Sequence, residues 1–264
     1  MTALIVVGAG PSGLGVATTL ARGTGDTVCL VDRIPVPGGE AGWDDPQVRD
    51  YVADAEAAGV RLLLGHMAVR WAAGALLLLG PGVVRTETAR HLFFAGGCRP
   101  ATAADLRLAG ERPAGVLPAT VAEHLLTSGV RLWRRPLLIG DGPWAPSIGE
   151  HLRRTGARVL SLNGTGDWAD ETVCHDGAVE VLGRDRVRGV RLLDGPGPVP
   201  REVDCDAIIL CAGAIPNRNV DGALTESDEG VTFVQPTAPR SVRARFEHGQ
   251  SAAREWIRSM EGNQ

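Results

Sequence analysis

The chain of 264 residues contains no lysine; all 27 of its Lys/Arg positions are arginine. That excludes a Lys Schiff base, and with it pyridoxal chemistry, and also the lysine of a Walker A phosphate loop. The five cysteines (29, 98, 174, 205 and 211) form no CxxC pair and no metal-ligand spacing. A dithiol or zinc centre is therefore not expected, and a reduced, cytoplasmic setting is. The six histidines show no ligand spacing either, so no metal site is expected. No arginine-rich block accompanies the net charge of −4, so neither nucleic acid nor an acidic membrane surface is an expected partner. No apolar run is long enough to span a bilayer. The first strand is expected from residue 3, which leaves no room for a signal peptide.

What the sequence does contain is a glycine motif in a strand–turn–helix–strand frame. Leu4–Val7 is an apolar run suited to a buried parallel strand. Gly8, Gly10 and Gly13 follow as GxGxxG, with Pro11 and Ser12 between them. Gly8 suits the tight turn, Gly10 the approach of a pyrophosphate, and Gly13 the packing of the helix on the strand. The helix presents free N–H groups and a positive dipole end. A second strand, 27–31, ends at Asp32, about twenty residues beyond the motif, where a carboxylate accepts from ribose hydroxyls. Arg33 follows it. A helix over 46–58 and a strand over 60–65 complete a βαβαβ half. Residues 67–90 predict an antiparallel meander, 91–97 a strand ending in Ala95, Gly96 and Gly97, and 98–117 an irregular stretch. A short helix is expected over 118–128.

The opening motif then recurs. Gly140 and Gly142 stand as Gly8 and Gly10 do, and Ala145 takes the place of Gly13. Asn163 falls where Asp32 stood, so this copy lacks a charge-assisted ribose acceptor. The segment 164–172 is too short for a helical crossover, so the second module is read as trimmed. A small meander follows over 173–203, an apolar strand over 206–216, and a helix over 241–260.

The motifs GAGPSG (8–13), VD (31–32), PGG (37–39), FAGG (94–97), GDGPWA (140–145) and CAGAIPN (211–217) resemble the two-dinucleotide-binding-domain flavoproteins of the pyridine nucleotide-disulfide oxidoreductase-like family. The resemblance implies an α/β fold of two Rossmann-like modules, the second inserted into the first. It implies an FAD domain over 1–118 and 205–264 and a shortened NAD(P)-binding-like domain over 119–204. FAD is the implied cofactor, held by Gly8, Gly10, Pro11, Ser12, Gly13, Asp32, Arg33, Gly39, Glu40 and Ala95–Gly97; Gly140, Gly142 and Ala145 are the second motif's nucleotide-facing positions. NAD(P) is expected to bind weakly or not at all. In such proteins a Gly-Asp near 235–237 holds the ribityl chain; here Thr237 offers one uncharged hydrogen bond. The segment RPAGVLPATVAEHLL (112–126) resembles one branch, the flavin subunits of hydrogen cyanide synthase, sarcosine oxidase and hydroxyproline or opine dehydrogenases. That branch implies an amine or amino-acid substrate and a second oxidoreductase subunit. Two other readings stand beside it: a stand-alone NAD(P)H-dependent flavin reductase, and a structural subunit without flavin. No proton-transfer residue can be named. Glu40 reads either as a neighbour of the flavin ring or as an exposed loop acid, and Cys98 reads as structural, since only Arg99 stands near it to lower its pKa. Trimming should expose apolar surface, with Trp133, Trp144 and Trp168 as contacts for a partner or as fillers of the protein's own core.

Overall fold

A computed structural model describes residues 3–193, 200–217, 229–234 and 241–262. Thr237 lies outside the described residues. The chain forms two compact units, Met1–Cys98 with Pro216–Gln264, and Arg99–Ile215.

The first unit opens with β1 (Ala3–Val7), α1 (Pro11–Gly23), β2 (Thr27–Asp32), α2 (Pro46–Ala57) and β3 (Arg61–Leu64). Pro11 and Pro46 each start a helix, where a missing N–H costs nothing. Asp45 caps α2 by accepting from the Gln47 and Val48 amides. A three-stranded antiparallel meander follows: β4 (Met67–Ala72), β5 (Ala75–Gly80) and β6 (Val83–Thr88). Leu76 and Leu78 are the buried face of β5 and join Ile5, Cys29 and Val31 in one core. The chain continues through β7 (His91–Phe94) and leaves the unit along β8 (Cys98–Arg99).

The second unit holds β9 (Ala109–Gly110), β10 (Val116–Pro118), α3 (Ala119–Thr127), β11 (Pro136–Ile139), α4 (Ala145–Arg154), β12 (Leu160–Leu162) and β13 (Glu171–Val173). The antiparallel strands β14 (Val179–Leu182), β15 (Gly189–Leu192) and β16 (Arg201–Asp204) come next, then β17 (Ala207–Leu210). After β18 (Ile215–Pro216), β19 (Val231–Phe233) and α5 (Val242–Glu261) rejoin the first unit.

The first sheet runs β19-β7-β1-β2-β3, every neighbour parallel. The apolar runs of β1 and β7 suit strands covered on both faces. Helix α5 packs on α1 through two glycines. A Cβ at Gly15 would sit 2.2 Å from the Phe246 carbonyl oxygen, and one at Gly249 1.9 Å from that of Ser12. Phe246 stacks on Tyr51 of α2 at 3.8 Å. The second unit repeats the plan, with an all-parallel sheet β10-β17-β11-β12-β13.

Three expectations change here. The units divide after residue 98 and before residue 216, not at the limits 118 and 205, because β10 and β17 pair with each other and β17 with β11. The stretch 98–117 is not wholly irregular: β9 pairs with β14, and β10 enters the second sheet. The tryptophan of the shortened connection is not exposed. Trp168, 3 % exposed, lies against Gly149 of α4 and against Gly164 and Gly166. Trp144 is also buried, at 2 %. Neither can be a partner contact; Trp133 is half-buried.

Candidate dinucleotide site

The three glycines of the first motif occupy different environments. Gly8 has φ +109° and donates its amide to the Val31 carbonyl; a Cβ there would lie 2.2 Å from the Ala95 oxygen. This turn therefore closes only with glycine. A Cβ at Gly13 would lie 1.7 Å from the Gly8 oxygen, so α1 seats directly on the turn. A Cβ at Gly10 meets nothing within 4 Å. Gly8 and Gly13 thus answer to the chain's own packing, whereas Gly10 faces open space above the start of α1. No side chain caps that helix end, and its first turn carries no acid. An anion approaching Gly10 meets amide donors and a favourable dipole without a competing carboxylate.

Asp32 ends β2 beside this turn. Its Oδ2 accepts from the Ala9 amide at 2.7 Å and its Oδ1 from the Ile34 amide at 2.8 Å. Two backbone donors fix the carboxylate, and each oxygen keeps a second lone pair for a ligand hydroxyl. The loop after β2 folds over the same turn. Gly38 donates to the Ala9 carbonyl at 2.8 Å, and a Cβ at Gly39 would lie 3.2 Å from the Gly10 Cα. Arg33 is exposed on this loop.

Glu40 follows Gly39 and pairs with Arg245 of α5 at 3.3 Å; both side chains are more than two-thirds buried. The Arg245 Nε is buried with no hydrogen-bond partner among the described residues. It is a donor waiting for an acceptor. Burial and the Glu40 charge raise the Cys98 thiol, while Arg245 opposes them. Cys98 is thus no activated nucleophile. On the other side, Ala95 is buried and donates to the Val7 carbonyl, and the Gly96 and Gly97 carbonyls accept from Asn217 Nδ2 at 2.8 Å and Asn217 N at 2.9 Å. Sequence reasoning quoted Asn217 within CAGAIPN but assigned it nothing, and it missed Arg245. The signal for Asn217 was its place after a strand ending in small residues; Arg245 left none, lying far along the chain.

The structure thus brings Gly8–Gly13, Asp32, Gly39, Glu40 and Ala95–Gly97 together around one turn. Gly140, Gly142 and Ala145 form a second turn in the other unit. Gly140 repeats the role of Gly8, with φ +90° and close packing on Ala212. Gly142 does not repeat that of Gly10: a Cβ there would lie 1.9 Å from the Cys211 oxygen. Among the described residues no group of His, Cys, Asp or Glu could hold a metal ion, and no helix is long and apolar enough to cross a membrane.

Residues 6–62 match the NAD(P)-binding Rossmann-like domain. No curated protein matches the chain. Among solved structures it is similar to the L-proline dehydrogenase from P. horikoshii, at 16 % identity and TM-score 0.67, over 98 % of this chain and 56 % of that one. It is similar to the NAD-dependent persulfide reductase from A. fulgidus, at 15 % and 0.69, over 97 % and 59 %. It is also similar to a pyridine nucleotide-disulfide family oxidoreductase from Enterococcus faecalis V583, at 15 % and 0.68, over 96 % and 68 %. The chain thus spans little more than half the length of the first and second of these. At such identities the likeness is one of fold. The chain is a mixed α/β protein that carries a Rossmann-like domain and shares the fold of these oxidoreductases.

Proposed function

We propose that the chain is an FAD-dependent oxidoreductase whose flavin nucleotide lies on the first glycine turn. The carrying observation is Gly10: it alone of the motif's three glycines faces open space, over an uncapped helix start and beside the anchored Asp32. The pyrophosphate takes the amides at the start of α1, and the Asp32 oxygens accept from the ribose. The unmatched Nε of Arg245 supplies a donor near Glu40. Bound flavin supplies hydride chemistry; the residues named here hold and orient it and exclude water. Thr237, for the ribityl chain, remains an expectation outside the described residues.

The finer reading is the flavin subunit of an amine or amino-acid dehydrogenase-like complex. The 112–126 segment and the likeness of fold to the L-proline dehydrogenase support it. So does chemistry: the chain has no CxxC, and the sequence names no proton-transfer residue. A second oxidoreductase subunit then supplies substrate chemistry. The test is anaerobic bleaching of the bound flavin by a panel of amino acids, with the chain purified alone and with co-expressed oxidoreductase subunits. Bleaching only in the co-expressed complex is expected. A monomer that is reduced and turned over unaided contradicts the subunit reading, and a flavin-free protein contradicts the whole of it.

A further inference from the structure

We infer that the second glycine motif is a packing device and that this chain has no NAD(P) site on it. The inference rests on residues of the second unit and does not depend on where the flavin lies.

The fold implies a second dinucleotide there, and four features disagree with one. The first is Gly142. In a working motif this glycine lets a pyrophosphate approach. Here its side-chain direction is filled by the Cys211 carbonyl at 1.9 Å and the Gly213 carbonyl at 2.8 Å. Internal packing against the end of β17 accounts for the glycine entirely. The second is Asp141, the counterpart of Ala9. It puts an exposed carboxylate in the turn itself, held by the Thr165 hydroxyl. A carboxylate there repels the doubly charged pyrophosphate that the helix start would attract.

The third is Asn163, which stands where the ribose acid belongs. Its φ is +61°, and both ends of its amide are used: Nδ2 donates to the His175 carbonyl at 2.6 Å, and Oδ1 accepts from the His175 amide at 2.7 Å. This reciprocal pair ties the end of β12 to the end of β13. Asn163 is therefore a strand clasp, and the hydrogen-bonding capacity its amide keeps is uncharged, unlike that of Asp32. The fourth is Trp168, whose ring packs on Gly164 and Gly166, the residues that follow Asn163. The adenosine side of the module is thus built around tryptophan and an asparagine clasp, with no Arg after Asn163 to favour a 2′-phosphate.

Isothermal titration of NADH and NADPH into the Gly10→Trp variant tests this. The variant closes the first turn, where a Cβ meets nothing, so any remaining binding reports on the second. A second arm titrates both nucleotides into full-length wild-type protein saturated with FAD. No saturable binding is expected with Kd tighter than about 1 mM in either arm. Saturable binding tighter than that in either arm overturns the inference. A chain that fails to bind FAD removes the flavin assignment but leaves the first arm informative.

Discussion

Replacing Gly10 by Trp separates binding from folding. A Cβ at Gly10 meets nothing within 4 Å, and its φ of −73° is open to any L-residue. The added Cβ strains no contact inside the chain, and the indole beyond it is directed into the space above the first turn of α1. Two backbone donors to a pyrophosphate, each about 1.5–3 kcal/mol as charge-assisted hydrogen bonds, are lost with that space, about 3–6 kcal/mol together. Flavin affinity should fall by about 10²–10⁴-fold. Gly13→Ala is the counterpart. Its methyl would lie 1.7 Å from the Gly8 oxygen, so α1 must leave its seat and the fold itself suffers. The assay pairs flavin absorbance after gel filtration with the melting temperature of each variant. Gly10→Trp should lose flavin while melting within a few degrees of flavin-free wild type, and Gly13→Ala should melt well below it. A Gly10→Trp protein that keeps its flavin, or one that does not fold, would refute the reasoning.

Four further outcomes follow from the packing. Burial and the neighbouring Arg90 push His91 down from its ordinary value to about 4. Because the unfolded chain binds that proton more readily, the first unit loses stability as pH falls from about 6.5 towards 4, by up to about 3 kcal/mol; urea titrations of wild type and His91→Gln should show this slope flattened in the variant. Trp168→Ala removes the plug of the shortened connection and should cost about 3–5 kcal/mol in chemical denaturation, whereas a change under 1 kcal/mol would mean the ring is dispensable. Gly249→Ala should destabilise the first unit although alanine is the better helix former by about 1 kcal/mol, since its Cβ would lie 1.9 Å from the Ser12 oxygen; a raised melting temperature would contradict that. Burial pushes the Cys205 and Cys211 thiols up to about 12, so iodoacetamide at pH 8 should label exposed Cys174 first, as peptide mass mapping can show.

The first βαβ unit was legible because its signals are local. An apolar run, a glycine turn and an acid at the end of the next strand all lie within Ala3–Asp32. The repeat at Gly140 and the helix over 241–260 were legible for the same reason. What escaped was long-range. That β9 pairs with β14 cannot be read from Ala109 and Gly110, which carry no strand pattern of their own. Asn163 was recognisable as a missing acid, but its partner, the His175 backbone, has no side-chain signature. Trp168 could be read as a partner contact or as a filler of the protein's own core; its packing on Gly149 and Gly164 decides for the filler. The Glu40–Arg245 pair joins residues from opposite ends of the chain.

The central claim is that one flavin nucleotide sits on the first glycine turn. The most direct measurement is the visible spectrum of the purified full-length chain, with the released cofactor weighed by mass spectrometry and counted per chain. One FAD per chain, lost in Gly10→Trp, is the predicted result. A colourless protein that stays colourless after incubation with excess FAD would contradict it.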